Sequence, residues 1–195
     1  MLDGTGQAVG RIEGQFTMMR SRLEKLPADL SDASLRGLEL RTTSENTLLL
    51  YDDARLGVRF LYPRGWRVGA VQGKQVTLDH ARGSGILITV EPDSKVPTAD
   101  DFAREITAFL TKQKATITGT EKPTRVRAEP VQLDRFAFEA TFGTEKARLE
   151  YAVLRQSDGG VTVAGRIPAA DVEALKPEVE RVIRSLSVTK KIEEK

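Results

Sequence analysis

The feature that most constrains this fold is a series of short period-two segments separated by turn residues, with one clear helical segment among them. The strand-like segments before that helix are residues 47–53, 57–62, 74–80 and 85–91, and those after it are 115–121, 135–142, 147–155 and 160–167. Consecutive strands with short connections pair antiparallel, and each helix needs a sheet face to cover its apolar stripe. The order therefore predicts an α+β fold, an antiparallel β-sheet with helices packed on it as an α-β-α sandwich.

Two segments have helical periodicity. The first begins after Thr98, a good N-cap residue, and Asp100 and Asp101 follow in the first turn, where the helix dipole favours negative charge. The second contains Pro177, which is unfavourable inside a helix. We therefore predict a turn at 169–175 and a helix from about 177 to 186.

The strands after the first helix have two chemically different faces. Phe136, Phe138 and Phe142 alternate with charged residues, and the same holds for Leu149, Tyr151 and Val153 in the next strand. The charged positions are Arg135, Glu139, Arg148 and Glu150. This alternation predicts a sheet with one packed face and one face that is wet or only partly covered.

The N-terminal residues 1–46 are predicted to be an extension of the main domain. Residues 8–21 alternate apolar and polar side chains, which predicts one long half-buried strand, and a polar connector follows at 27–46. A lone strand is not stable. We therefore expect residues 8–21 to add to a sheet edge or to mediate self-association with a second copy. The main domain is predicted at 47–189, and residues 190–195 form a charged tail.

The stretch GVRFLYPRGWRV at 57–68 contains the single tryptophan of the chain. Pro63 lacks an N–H and should end its strand, and Gly65 allows the chain to turn. Trp66 can then fold back over the sheet as a large packing residue. The alternative is a partly exposed Trp66 that contacts a partner together with Arg64 and Arg67, and we take these three as the candidate partner-binding residues.

These segments resemble the PsbP-like superfamily. The resemblance rests on YDDARLGVRFLYPRGWRV at 51–68, on the helix entry TADDFAREITAFL at 98–110 and on the terminal VIRSLSV at 182–188. It covers 47–189 and implies the same α+β sandwich. Its members share a scaffold rather than a chemistry, and most act by docking other proteins, including chaperones that cradle an apolar helix. For bacterial relatives it also implies an exported, periplasmic or membrane-associated setting, although no signal peptide pattern is present in this chain.

Composition excludes several chemistries. The chain has no cysteine and one histidine, His80, so thiol catalysis, disulfides and multi-histidine metal sites are excluded. The glycines at 4–10 precede a strand rather than a helix, which does not suit a phosphate cradle. The net charge is +2 with both signs interspersed, which gives no footprint for nucleic acid. No segment is long and apolar enough to span a membrane. No catalytic, cofactor-binding or metal-binding residue is predicted.

Two further groups of charges have weaker interpretations. Asp52 and Asp53, near Glu45, could bind a cation, but acids in turns are usually solvated. Five arginines could form one patch for an acidic protein surface or anionic lipid if their strands are neighbours, and scattered solubilising charge is the favoured interpretation. They are Arg59, Arg64, Arg67, Arg125 and Arg127.

These observations favour a non-catalytic protein-binding module, an adaptor, accessory or chaperone-like scaffold. The resemblance adds the expectation that it is part of a larger exported bacterial protein. The alternative is a hydrolase that uses carboxylates with His80. An enzyme should bring two or more titratable groups together in one deep pocket, whereas a binding module should present a shallow groove or an apolar patch.

Overall fold

The computed structural model describes residues 47–91, 95–127, 131–156 and 159–188. The extension with its predicted strand at 8–21, the connector at 27–46 and the tail at 190–195 lie outside the described residues. The elements in chain order are β1 (Leu48–Asp53), β2 (Val58–Pro63), β3 (Trp66–Gln72), β4 (Gln75–His80), β5 (Gly85–Glu91), α1 (Ala99–Lys112), β6 (Thr116–Arg127), β7 (Gln132–Phe142), β8 (Glu145–Gln156), β9 (Gly159–Pro168), a 3-10 turn (Ala169–Asp171), α2 (Val172–Ser185) and β10 (Ser187–Val188).

The main sheet has seven antiparallel strands in the order β3-β4-β5-β9-β8-β7-β6. Both helices pack on it, α1 over β6, β7 and β8, and α2 over β8 and β9. The predicted α+β class is confirmed. One difference is that β1 and β2 do not join this sheet but form a second, three-stranded sheet in the order β1-β2-β10. The short β10, which directly follows α2, pairs with the start of β2 through Val188 and Val58.

Helix α1 begins as its sequence predicts. The Thr98 side chain accepts a hydrogen bond from the backbone N–H of Asp101 at 3.1 Å, which satisfies one of the free donors of the first turn. Phe102 contacts Phe136 and Tyr151 edge-on, each at a ring-centroid distance of 5.7 Å. These contacts fix α1 on the aromatic face of β7 and β8.

The prediction that the second helix begins only at about Pro177 is wrong. The helix starts at Val172 and contains Pro177 as an interior residue. Leu175 and Val179, on either side of the proline, are both buried against the sheet with Val182 and Ile183. Burial of a continuous apolar stripe outweighs the hydrogen bond that Pro177 cannot make.

Strand β3 was not predicted from the sequence. Trp66 is the first residue of this strand and pairs with His80 of β4. The strand is weakly patterned because it is the edge of the sheet and most of its residues after Trp66 are exposed. Pro63 ends β2 as predicted, and the turn at 64–65 leads directly into β3.

The two faces of the main sheet carry separate cores. The face under α2 packs Trp66, the buried residues of β4, β5 and β9, and the stripe of α2 against Phe60 of the small sheet. The face under α1 packs the aromatic residues of β7 and β8 around Leu110. The charged residues that alternate with those aromatics therefore lie on the α2 face, and Glu150 has no exposed surface there. The expectation that this face is wet or only partly covered is wrong at Glu150 and Arg148, where α2 and long side chains cover it.

Candidate functional site

The predicted partner-binding residues have different surroundings. Trp66 is 2% exposed, and its indole N–H donates to Glu178 Oε2 of α2 at 2.6 Å. Its ring also packs on His80 with centroids 5.2 Å apart. The structure thus supports the packing interpretation of Trp66, whose ring offers almost no surface to a partner. Arg64 and Arg67 are exposed, so a partner contact through these two arginines stays a prediction.

The single histidine is part of a hairpin. His80 Nδ1 accepts from the backbone N–H of Arg82 at 3.3 Å, and its backbone N–H donates to the Ser84 carbonyl at 2.9 Å. Ser84 is therefore the cross-strand neighbour of His80, but its buried hydroxyl has no hydrogen-bond partner in the structure. A serine and a histidine that act as a pair need a hydrogen bond between them, and no such bond is formed here.

The five arginines do not share one patch. Arg67 on β3 and Arg125 on β6 lie at opposite edges of the main sheet. Arg59 binds Asp52 at 2.6 Å, Arg125 binds Asp134 at 2.5 Å, and Arg127 donates to the carbonyl of Arg184 at the end of α2. A shared patch would require the strands that carry these arginines to be neighbours, and they are not.

The acidic side chains of the β1–β2 hairpin contact residues of the same hairpin. Asp53 Oδ1 accepts from the backbone N–H of Arg55 at 2.8 Å and of Leu56 at 3.2 Å, and Asp53 also accepts from the Tyr51 hydroxyl. Although burial opposes it, these hydrogen bonds hold the pKa of Asp53 below its usual value. These hydrogen bonds within the turn account for the position of Asp53 without a bound cation. Among the described residues no group of three or more metal-ligating side chains is present.

The densest group of charges is a cluster on the α2 face, which we call the arginine–glutamate cluster. Its members are Glu121, Arg135, Glu139, Arg148, Glu150 and Glu180. Arg148 lies at the centre and donates to Glu150 at 2.5 Å, to Glu121 at 2.6 Å and to Glu139 at 2.7 Å. Burial would lower the pKa of Arg148, but these hydrogen bonds outweigh it and raise the pKa. Arg148 is thus a fixed positive charge.

The cluster connects the sheet to α2. Arg135 Nη2 donates to the second oxygen of Glu150 at 3.2 Å, and Arg135 Nη1 donates to Glu180 of α2 at 2.6 Å. Every carboxylate in the cluster is paired with at least one arginine. Sequence reasoning placed four members on one face but did not predict their burial, because that depends on α2.

A second candidate surface lies on the other face of the sheet, beside α1. Tyr151 of β8, Ala164 of β9 and Leu87 of β5 are cross-strand neighbours on this face. Because α1 packs over β6, β7 and β8, the face of β9, β5, β4 and β3 has no helix on it within the described part of the chain. The residues there are half-buried rather than buried, as expected for a sheet face open to solvent.

Two adjoining depressions run across this open face and form what we call the open groove. One, of about 460 Å³, is lined by residues that include Asp79, Leu87 and Ala164, and the other, of about 390 Å³, by residues that include Phe109 and Phe142. They share Ala164 and Arg166, so they are continuous. Both are shallow and open, unlike the enclosed pocket expected of an enzyme.

The α1 end of the open groove is apolar. Phe109 is 52% exposed although it belongs to the apolar stripe of α1. Beneath it lies Tyr151, and burial raises the pKa of this tyrosine to about 12. Tyr151 is 5% exposed and lines the same depression as Phe109. The groove is flanked by Arg166, which pairs with Glu145 at 2.5 Å.

Neither α1 nor α2, nor any other described helix, is long and apolar enough to cross a membrane.

Comparison with known proteins places the fold. No protein-family model matches the chain, and no curated protein matches it by sequence. The solution structure of cyanobacterial PsbP (CyanoP) from Synechocystis sp. PCC 6803 is similar, with a TM-score of 0.57 and 16% identity over 77% of this chain and 95% of that one. PA94 from Pseudomonas aeruginosa, a protein of unknown function, matches with a TM-score of 0.40 and 10% identity over 70% of this chain and 94% of that one. The predicted resemblance is confirmed at the level of the fold: the described domain has an α+β fold similar to that of CyanoP.

Proposed function

We propose that this chain is a non-catalytic protein-binding module and that the open groove beside α1 is its binding surface. The observation that carries the proposal is Phe109, which is 52% exposed at the edge of a sheet face that α1 leaves uncovered. A large exposed aromatic side chain beside a shallow apolar depression is typical of a protein-docking surface.

The dimensions of the open face suit one helix of another protein. Four strands are left uncovered, and adjacent strands lie about 4.8 Å apart, so the face is roughly 15 Å wide. A helix with its side chains is about 10 Å in diameter. An amphipathic helix could lie beside α1, with its apolar stripe against Leu87, Ala164 and Phe109. Its polar face would meet solvent and the flanking charges of Arg166 and Asp79.

The compartment belongs to the same proposal. An exported, periplasmic or membrane-associated setting is what the resemblance to PsbP-like proteins implies, and a surface that docks another protein is compatible with it. The exposed Arg64, in the turn before β3, and Arg67, at the start of β3, lie at one edge of the open face and would extend the contact if the partner is acidic there.

Affinity capture with matched variants tests the proposal. The full chain, Phe109→Glu and Thr107→Glu would each be immobilised and exposed to lysate and envelope fractions of the source organism. Thr107 is exposed on the same helix but lines a different depression, next to Pro123, so its variant adds the same charge outside the open groove. We expect a protein that the wild type and Thr107→Glu retain and Phe109→Glu loses. Equal retention by all three variants would contradict the assignment of the surface.

A hydrolase that uses His80 is the alternative, and one observation favours it: Asp79, His80 and Ser84 border the same depression, of about 460 Å³. Against it, His80 packs on Trp66, and its Nδ1 accepts a backbone N–H. A screen of ester, amide and phosphoester substrates with the wild type and His80→Gln separates the two proposals. Turnover that His80→Gln abolishes, with the fold intact, would support the enzyme.

A further inference from the structure

The two edges of the main sheet differ in how they are protected against pairing with another strand. At the β6 edge, Lys122, Pro123 and Arg125 lie within the strand, and its pairing with β7 has three register shifts. Proline, basic residues and bulges are the devices that prevent an edge from accepting a further strand. The β6 edge is therefore closed to addition.

The β3 edge lacks most of these devices. Between Arg67 and Lys74 the edge contains no charged residue and no proline. Its one register shift lies between Val68 and Val71, where the Ala70 N–H donates inward to the Thr77 hydroxyl at 2.7 Å. In the described residues β3 pairs with β4 alone, so its other side is an open template for a strand.

A cleft with both apolar and basic lining residues, among them Arg55 and Lys74, accompanies this edge. Val71 is 42% exposed, one of two large apolar side chains with such exposure in the described residues. It lines a cleft of about 340 Å³ together with Leu56 of the β1–β2 turn and Val90 of β5. Because the β1–β2 turn stands over the cleft, side chains of an added strand that pointed to this side would contact Leu56 and Val71.

The chain enters the described domain beside the same edge. The carbonyl of Thr47 accepts a hydrogen bond from the backbone N–H of Arg64 at 3.3 Å, and Arg64 lies in the turn that starts β3. Thr47, the first described residue, therefore lies at the Trp66 end of β3. The 25 residues from 22 to 46 reach up to about 80 Å when extended, far more than the length of β3.

We propose that residues 8–21 add as an antiparallel strand to the outer edge of β3 of the same chain. Their alternation presents Ile12, Phe16 and Met18 on one face. That face would cover Val71 and Leu56 in the cleft, and the polar face would continue the open face of the sheet. The antiparallel direction agrees with every other pair in this sheet and places residue 21 near the entry point at Thr47. This inference does not depend on the proposed function of the open groove.

Disulfide trapping in the full chain tests the inference, since the native sequence has no cysteine. Val71→Cys would be combined in turn with Ile12→Cys, Phe16→Cys and Met18→Cys, and each protein would be oxidised gently at low concentration. A disulfide needs Cα atoms about 4.4–6.8 Å apart, so only residues held next to Val71 react efficiently. The matched control pairs the same three positions with Lys122→Cys on β6.

The inference predicts an intramolecular disulfide for at least one Val71 pair, in a yield about tenfold above that of any Lys122 pair. Equal yields for both edges would overturn it. Disulfides between two molecules would overturn it in favour of a second copy as the occupant.

Hydrogen exchange provides a test that does not require cysteines. In full-length Phe16→Pro the added strand loses a backbone donor, and we expect amides of β3 to exchange about tenfold faster while those of β6 are unchanged. Unchanged exchange in β3 would equally overturn the inference.

Discussion

Glu150 is completely buried, and its Oε1 lies 2.5 Å from Nε of Arg148. A carboxylate without solvent must be paired, and Arg148 supplies the shortest of its ion pairs, with Arg135 on the other oxygen at 3.2 Å. Arg135 links this pair to α2, because it also donates to Glu180 at 2.6 Å.

Arg148→Met tests the importance of that pair for stability. Removal of one partner leaves Glu150 with an uncompensated part of its charge, and such losses cost about 3–5 kcal/mol. Arg166→Met is the control, because the Arg166–Glu145 pair is exposed and should contribute no more than about 1 kcal/mol. Urea unfolding of both variants measures the difference. Equal, small losses would show that the cluster does not hold the sheet and α2 together.

Glu121 makes part of the stability dependent on pH. Hydrogen bonding to Arg148 lowers the pKa of Glu121 from its ordinary 4.5 in the folded state. Its contribution is therefore complete above about pH 5 and is lost as the pH falls through the lowered folded pKa. Because Glu121 is half-exposed, the free energy involved is under about 1 kcal/mol.

The measurement for Glu121 compares urea unfolding of the wild type and Glu121→Gln between pH 3 and pH 7. The wild type should be more stable at pH 7, and the difference should shrink on acidification. A stability difference that grows as the pH falls would contradict this prediction.

Trp66 should behave as a core residue. Trp66→Ala is expected to destabilise the domain by about 3–5 kcal/mol through the cavity it creates. Trp66→Phe should cost less, since it retains a ring and loses mainly the hydrogen bond to Glu178. Arg64→Ala combined with Arg67→Ala should change stability by less than about 1 kcal/mol. Thermal unfolding followed by circular dichroism ranks the three, and a harmless Trp66→Ala would disprove the packing role.

Pro177→Ala should stabilise the protein. The substitution restores an N–H to the interior of α2, where a proline costs up to about 3 kcal/mol, although the unfolded chain also gains freedom. We expect a net gain of about 1–2 kcal/mol in the free energy of unfolding, measured by urea titration. A loss of stability would indicate that the proline ring itself is needed at this position.

The sequence predicted those parts of the fold that depend on local patterns. The Thr98 cap and the alternation in β7 and β8 are local, and each is present as expected. The exposed edge strand β3 was missed because only Trp66 and Val68 give it a partly buried side. The start of α2 was misplaced because Pro177 is a strong local signal, whereas the burial of Leu175 and Val179 is a tertiary effect.

The candidate site was less predictable for the same reason. Phe109 fits an apolar helix stripe. Nothing in the local sequence indicates that α1 covers the sheet only as far as β8 and leaves the next strands open. The Arg148–Glu150 pair was recognised as charge on one face, but its burial arises from a helix some 30 residues later in the chain. Whether these residues are exposed or buried depends on how the helices pack on the sheet. The sequence of one segment does not determine that packing.

The most direct test of the binding-module account is a hydrogen-exchange footprint of the captured partner on the full-length chain. The account predicts slower exchange at the C-terminal end of α1 and in β4, β5 and β9, the elements that form the open groove, with α2 unchanged. Protection confined to α2 or to the β1–β2 hairpin, with the open groove unaffected, would contradict it.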